Sequence, residues 1–286
     1  MEGIKLFNVV GLVARVDRKD AVTFVGKLMA HLEERGLSVF LEPKLAERFK
    51  KREAALPLEK MKTDLIITIG GDGTILRTCL SLPKPEPPIL AINMGVRGFL
   101  AEVTPKDGLD AVKQCLEGRF LLERCLKLAA FIGDTKLPDA LNEVFITSDA
   151  PAKLLYTKIW KDREVVTDCR ADGVIIASQV GSTGYSLSGG GPVLDPAVDA
   201  FVLTPVCPLT AFHPIVFPAK STIRIELLKP KRAAVVIDGH YKTRIKPSHP
   251  YITIAKSEYN SAFVRFGNNF YNRLKGRLLF SRGEGL

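Results

Sequence analysis

A short loop that joins one carboxylate to three glycines is the clearest chemical signal in the sequence. An apolar, mostly β-branched run at residues 65–69 leads directly into Gly70, Gly71, Asp72, Gly73 and Thr74. Glycines let backbone N–H groups approach a phosphate closely, and a helix that starts here points its positive end at the same place. A carboxylate beside phosphates is repelled unless it binds a cation or accepts a proton from an attacking hydroxyl. The loop therefore indicates phosphate chemistry, with an Asx turn at Asp72 as the purely structural alternative.

Two familiar nucleotide signatures are missing around this loop. The sequence contains no G-x-x-x-x-G-K-[ST] segment, and Leu76 stands where the dinucleotide fingerprint requires Gly or Ala. The loop is therefore predicted to be a phosphate site of another kind.

A second signal is a pair of adjacent polar residues inside an otherwise apolar strand. Asn142 and Glu143 occupy the middle of "ALNEVFI". One carboxylate acceptor beside one amide matches the vicinal diol of a ribose. An exposed strand end is the structural alternative for this pair.

The segment 169–196 is rich in hydroxyls and glycines. It contains Arg170, Asp172, a Ser-Thr-Gly-Tyr-Ser loop at 182–186 and three glycines at 189–191. Such residues can line an anion or a nucleoside. Tyr185 can stack on a base or cover a turn, and both readings stay open.

The elements that must position these residues follow from periodicity. Residues 1–121 alternate between short apolar runs and amphipathic stretches, which predicts an α/β domain with a parallel sheet. In such a sheet, ligands bind beyond the carboxyl ends of the strands, where residues 70–74 lie. Residues 122–264 contain repeated short strand-like runs without helical patterns between them, which predicts an all-β domain. The basic and apolar segment 265–286 is predicted to pack back on the N-terminal domain.

Composition restricts the remaining possibilities. With 286 residues and 46% hydrophobic content, the chain can bury a large core. No run is long and apolar enough to span a bilayer, and no signal peptide is visible, so a cytoplasmic protein is expected. Five scattered cysteines are expected to be free thiols rather than zinc ligands. The net charge of +10 favours anionic partners such as nucleotides, while the absence of aromatic residues interleaved with basic ones speaks against nucleic acid.

Several segments together resemble the NAD kinase family, whose members use ATP or polyphosphate to convert NAD to NADP. The matching segments, in family order, are "GGDGT" at 70–74, "NMGVRGFLAEV" at 93–103, "NE" at 142–143, "ADGVIIAS" at 171–178, "GSTGYSLSGGGPV" at 181–193, "LTPVCP" at 203–208 and "IDG" at 237–239. The first segment alone is weak, because lipid kinases and phosphofructokinases carry similar loops. The ordered combination is specific.

The resemblance implies a role for each matching position. Asp72 acts as general base on the 2′-hydroxyl of the adenosine ribose. The remaining expected contacts with NAD or the phosphoryl donor are Gly70, Gly71, Gly73, Thr74, Arg77, Asn142, Glu143, Arg170, Asp172, Thr183, Gly184, Tyr185, Ser186, Leu187, Ser188, Asp238 and His240. Among these, Asn142 and Glu143 are expected to hold ribose hydroxyls. Mg²⁺ is expected with the donor, and no protein ligand is assigned to a metal.

Two positions depart from the family pattern. Gly184 stands where members commonly carry Ala, and His240 stands where they often carry Gln. The first change is expected to be harmless, and the second leaves the role of that position open.

Two other functions compete with the NAD kinase hypothesis. A lipid kinase of the diacylglycerol or sphingosine type would share the glycine loop but would not use Asn142 and Glu143. A catalytically silent NAD-binding sensor would keep those two residues but would not need Asp72. The family resemblance also implies a homodimer or homotetramer.

Overall fold

The computed structural model describes residues 6–95, 98–150, 153–230, 232–267 and 270–279. The chain folds into two compact units. Unit 1 consists of Met1–Arg124 together with Ser261–Leu286, and unit 2 consists of Cys125–Asn260. Residues 96 and 97 of the predicted segment 93–103, and residues 268, 269 and 280–286 of the predicted C-terminal segment, lie outside the described residues.

The described residues form α-helices, β-strands and three short 3₁₀ turns. The helices are α1 (Lys19–Glu33), α2 (Pro43–Phe49), α3 (Asp72–Ser81), α4 (Gly108–Leu116), α5 (Tyr185–Ser188) and α6 (Phe270–Leu279). The strands are β1 (Val9–Ala14), β2 (Ser38–Leu41), β3 (Leu65–Gly70), β4 (Ile89–Asn93), β5 (Leu121–Ile132), β6 (Thr135–Lys136), β7 (Glu143–Thr147), β8 (Leu155–Lys161), β9 (Glu164–Ala171), β10 (Gly173–Ala177), β11 (Ala200–Val206), β12 (Ile215–Pro218), β13 (Ile223–Lys229), β14 (Ala233–Ile237), β15 (Tyr241–Ile245) and β16 (Tyr251–Arg265). The 3₁₀ turns are Arg52–Ala54, Leu58–Lys60 and Gly181–Thr183.

Unit 1 is built on a parallel sheet with the strand order β2-β1-β3-β4. Phe263, near the end of β16, continues this sheet by pairing in parallel with Ile89 of β4. The central strand β3 is buried along its whole length, which explains its unbroken apolar sequence. Helix α1 buries one face against the core through Phe24, Val25 and Leu28. The predicted α/β domain with a parallel sheet is confirmed.

Unit 2 consists almost entirely of antiparallel strands. One six-stranded sheet has the order β12-β11-β10-β7-β14-β15. In a second set, β13 pairs with β8 and with the first part of β16, and β8 pairs with β9. The predicted β-rich C-terminal domain is confirmed. Among its described residues, helical structure is confined to Gly181–Thr183 and α5, which together carry the predicted hydroxyl loop.

Helix α6 belongs to unit 1 and contacts the first stretch of that unit. The ring of Phe270 meets the ring of Phe99 edge-to-face, with 5.5 Å between their centroids. Within the described residues, no helix has both the length and the apolar character required to cross a membrane.

Candidate functional site

The glycine loop of unit 1 lies where β3 ends and α3 begins. Gly70 closes the strand, Gly71 precedes the helix, and Asp72 is its first residue. A side chain at Gly70 would overlap Oγ1 of Thr74, so the close strand-to-helix turn requires glycine there. At Gly71 an added Cβ would meet nothing within 4 Å, which leaves the backbone open to an approaching ligand. The turn therefore presents the N-terminus of a ten-residue helix to open space.

The Asp72 carboxylate is held by backbone donors from a distant part of unit 1. The N–H of Phe99 lies 2.9 Å from Oδ2 and 3.1 Å from Oδ1, and the N–H of Leu100 lies 3.1 Å from Oδ1. An Asx turn would instead join the carboxylate to the backbone about two residues further on. Each carboxylate oxygen can accept about two hydrogen bonds, so Oδ2 keeps capacity for one more donor.

Arg77 follows on the same helix and pairs with Glu42. Its guanidinium donates to both carboxylate oxygens, at 2.5 Å and 2.8 Å. This hydrogen bonding raises the pKa of Arg77 above its ordinary value, against an opposing effect of burial. The predicted contact of Arg77 with NAD stays a prediction. Of the other predicted loop residues, Thr74 is buried and Gly73 is exposed.

In unit 2, the side chains of Asn142 and Glu143 converge at the start of β7. Oδ1 of Asn142 and Oε2 of Glu143 are both buried and lack a hydrogen-bond partner in the described structure. An added Cβ at Gly184 would lie 3.2 Å from Nδ2 of Asn142 and 3.2 Å from Oε2 of Glu143. Buried polar atoms are almost always paired, and these two adjacent acceptors can be satisfied by a ligand with hydroxyl or amine donors.

The Glu143 carboxyl has an unusual electrostatic environment. Its pKa is raised to about 7, mainly by burial and also by the negative charge of Asp238, while the backbone N–H of Tyr185 lowers it. Its proton affinity is therefore poised near neutral pH, where small changes in the surroundings decide its charge.

Asp238 holds the backbone that carries this pair. Its Oδ2 accepts the N–H of Leu141 at 2.7 Å, and its Oδ1 accepts the N–H groups of Asn142 at 2.8 Å and Glu143 at 2.9 Å. Burial raises the pKa of Asp238, while these three hydrogen bonds and the charge of Lys127 lower it. Lys127 is fully buried on β5 and was not among the predicted site residues. A lysine within an apolar strand, "CLKLAAF", was its only sequence signal.

Close backbone packing and internal hydrogen bonds hold the predicted hydroxyl loop at 182–186 in place. Gly181 approaches Asn142 so closely that a side chain there would overlap the Asn142 carbonyl. The Thr183 hydroxyl donates to the carbonyl of Val180 at 2.8 Å, and the Ser186 hydroxyl is bonded to that of Thr204 at 2.7 Å. These hydroxyls therefore shape the loop.

Tyr185 begins helix α5, directly after Gly184, and its side chain is accessible. It is 44% exposed and meets Phe145 edge-to-face at 5.2 Å. Leu187 is half-buried and Ser188 is exposed. The stacking role predicted for Tyr185 stays a prediction.

Three other predicted residues have contacts or exposure of their own. The guanidinium carbon of Arg170 sits 3.8 Å from the centre of the Tyr156 ring. Asp172 is exposed, and its backbone carbonyl accepts the hydroxyl of Thr147 at 2.9 Å. His240 is exposed in the turn between β14 and β15.

Comparison with known proteins decides the family. The model of the ATP-NAD kinase N-terminal domain matches residues 10–120, and that of the ATP-NAD kinase C-terminal domain matches residues 141–266. The chain is 42% identical over 273 residues to an NAD kinase of Methanothermobacter thermautotrophicus, covering 94% of this chain and 96% of the relative. It is 40% identical to an NAD kinase of Thermococcus sibiricus, covering 91% of this chain and 95% of the relative. The chain belongs to the NAD kinase family.

Solved structures agree with this assignment. A crystal structure of an NAD kinase from Archaeoglobus fulgidus in complex with ATP has a TM-score of 0.78 and 29% identity, covering 94% of this chain and 98% of that one. A crystal structure of yeast NADH kinase complexed with NADH has a TM-score of 0.85 and covers 100% of this chain and 94% of that one. At 24% identity, the second likeness concerns the fold alone. Both NAD kinase domains thus have their counterparts in this chain.

Proposed function

We propose that this NAD kinase family member transfers the terminal phosphoryl group of ATP to the 2′-hydroxyl of the adenosine ribose of NAD, which gives NADP. The observation that carries the proposal is the pair of buried, unpaired acceptors on Asn142 and Glu143. A ribose presents two neighbouring hydroxyl donors, and each can satisfy one of these acceptors. Unpaired acceptors also discriminate strongly, because a ligand without hydroxyls would leave them buried and unsatisfied.

The glycine loop is proposed to hold the donor phosphates. The open backbone at Gly71 and the N-terminus of α3 supply N–H groups and a positive end for them. Within the described residues, no cluster of three or more His, Cys, Asp or Glu side chains is arranged to hold a metal ion. Mg²⁺ is proposed to bind together with the donor phosphates, without an assigned protein ligand. Bound there, it would neutralise charge on the phosphoryl group.

Asp72 is proposed to orient the acceptor hydroxyl and to take its proton. The N–H groups of Phe99 and Leu100 fix the carboxylate, and Oδ2 keeps a lone pair for the hydroxyl. In a loose phosphoryl-transfer transition state, this proton becomes acidic as the bond to phosphorus forms. Positioning by Asp72 therefore matters as much as its basicity.

The competing functions explain fewer of these observations. A lipid kinase would leave the acceptors of Asn142 and Glu143 without purpose, and a silent sensor would leave the hydrogen-bonded Asp72 without purpose. We further propose a homodimer or homotetramer, a cytoplasmic location in keeping with five free cysteines, and ATP as the donor. Polyphosphate as an additional donor is a question for the assay below.

The test is a direct assay of NADP formation. Purified protein is incubated with NAD, MgCl₂ and either ATP or polyphosphate, and NADP is measured with an NADP-specific dehydrogenase. Asp72→Asn should lower turnover by about a hundredfold or more while NAD binding is retained. Asp107→Asn is the matched control, because Asp107 also flanks a helix start in unit 1 and is exposed.

Two outcomes would contradict the proposal. A stably folded Asp72→Asn protein with nearly parental turnover would remove Asp72 from the mechanism. Wild-type protein that binds NAD but makes no NADP from either donor would support the sensor.

A further inference from the structure

The segment that holds Asp72 is itself held by a buried arginine. The N–H groups of Phe99 and Leu100 bind the Asp72 carboxylate, and Nη1 of Arg265 donates to the carbonyl of Leu100 at 2.8 Å. Arg265 lies at the end of β16 and is only 5% exposed. Leu100 therefore donates its N–H to the proposed base, Asp72, and its carbonyl accepts a hydrogen bond from the guanidinium of Arg265.

Helix α6 shares the carboxylates that hold Arg265. Nε of Arg265 lies 2.6 Å from Oε2 of Glu123 and 3.9 Å from Oε2 of Glu102. Arg273 of α6 reaches the same two carboxylates, at 3.6 Å to Glu102 and 3.7 Å to Glu123. We call Glu102, Glu123, Arg265 and Arg273 the Arg–Glu cluster. It brings two arginines and two glutamates together in a largely buried place.

The ring of Phe99 gives α6 a second contact with the segment. Phe270 meets this ring edge-to-face at 5.5 Å, and the guanidinium carbon of Arg273 lies 5.6 Å from its centre. Two residues of α6 thus pack on the side chain of Phe99, whose N–H binds Asp72. Polar and aromatic contacts both lead from α6 to Asp72.

Loss of Arg273 would remove one positive charge from the Arg–Glu cluster. The carboxylates of Glu102 and Glu123 would then repel each other more strongly, because buried like charges repel. Arg265 would be drawn more strongly toward them, and its hydrogen bond to Leu100 would weaken. The N–H groups that orient Asp72 depend on the position of Leu100.

We propose that α6 positions Asp72, and that Arg273 and Arg265 are positioning residues of the phosphoryl transfer, acting through the backbone at Phe99 and Leu100. The proposal rests on the proposed function, because it takes this positioning to serve phosphoryl transfer to NAD. The proposal does not require any residue of the Arg–Glu cluster to contact a substrate.

The first experiment separates positioning from stability. Arg273→Met is expected to lower kcat by about tenfold, because misplacement of a catalytic group costs one to two orders of magnitude. The KM values for NAD and ATP should stay within about twofold, and Arg273→Lys should recover part of the turnover. Arg119→Met is the matched control, because Arg119 pairs with Glu117 on the exposed surface of unit 1.

A double substitution tests whether the effect passes through Asp72. In an Asp72→Asn background, Arg273→Met should cause no further loss of turnover, because the group that it positions is already gone. Equal fractional losses in both backgrounds would refute the proposal. So would wild-type kcat in a folded Arg273→Met protein, even though the kinase function itself would stand.

Hydrogen exchange supplies a readout that needs no activity. In Arg273→Met, amide exchange in a peptide covering residues 98–103 should become about tenfold faster, while exchange in β1 and β3 stays unchanged. This result is expected whether or not the protein makes NADP, so failure of the proposed function is distinguishable from failure of this inference. Unchanged exchange at 98–103 would overturn the inference.

Discussion

Replacing Glu143 by glutamine removes a buried carboxyl whose charge is costly to the folded chain. Burial, with a further contribution from Asp238, raises its pKa from an ordinary value of 4.5 to about 7. Because each pKa unit corresponds to about 1.4 kcal/mol, ionising Glu143 in the folded chain costs about 3 kcal/mol. Above pH 7 the group is ionised in both folded and unfolded chains, so this cost is fully present. Below pH 4.5 it is protonated in both, and the cost vanishes.

The predicted result is a pH-dependent difference in the free energy of unfolding. The free energy of unfolding of Glu143→Gln minus that of wild type should rise by about 3 kcal/mol when the pH is raised from 4.5 to 8. The new amide leaves a buried donor without a partner, at a cost of about 1 to 3 kcal/mol. That cost is the same at both pH values. The change in this stability difference between pH 4.5 and pH 8 therefore reports only the charge of Glu143.

Urea unfolding of the ligand-free proteins at the two pH values measures this change. Glu164→Gln is the matched control, because Glu164 is exposed at the start of β9 in the same unit. A stability difference between Glu143→Gln and wild type that does not vary with pH would refute the reasoning, since Glu143 would then titrate like a solvated carboxyl. The same ionisation should govern binding: wild-type NAD affinity should fall as the pH drops below 7, and that of Glu143→Gln should not.

Two further predictions concern the loop that faces this pair. Tyr185→Phe should leave the KM for NAD unchanged and Tyr185→Ala should raise it several-fold, because the ring face makes the contact; equal damage by both changes would assign the role to the hydroxyl. Gly181→Ala should destabilise the protein by about 3 kcal/mol through overlap with the Asn142 carbonyl, whereas Gly184→Ala, with neighbours at 3.2 Å, should cost far less. Matching melting temperatures for the two alanine variants would contradict the geometry.

The sequence predicts the elements of the fold well where burial leaves a clear pattern. Strand β3 is apolar throughout because both of its faces are covered, and β16 begins with a regular alternation. The seven-residue helix α2 was not predicted, since it is too short for periodicity to register. Strand β15, "YKTRI", was also missed, because its charged residues suit an edge strand but do not signal one.

For the candidate site, the sequence predicts residue types better than it predicts contacts. Asp72, Asn142 and Glu143 stand out because carboxylates and amides are rare inside apolar strands and glycine loops. The donors that fix Asp72 are backbone N–H groups, which every residue except proline carries. Residue types therefore cannot predict which of these groups bind Asp72. Lys127 was missed for a related reason: a lysine in a strand is normally exposed, and only the fold shows that this one is buried.

The division of unit 1 into two separated stretches sets the order of its assembly on the ribosome. Strands β1 to β4 emerge early, but the edge of β4 gains Phe263 as a neighbour only after all of unit 2 has been synthesised. Until then, among the described residues, β4 has only the bridge from Ile92 to Val103 on that edge, and the unpaired part of the edge is a template for association with other nascent chains. Helix α6, which contacts Phe99, emerges later still. A nascent chain can therefore complete unit 2 while unit 1 still waits for residues beyond 260, so chaperone demand should be highest in this interval.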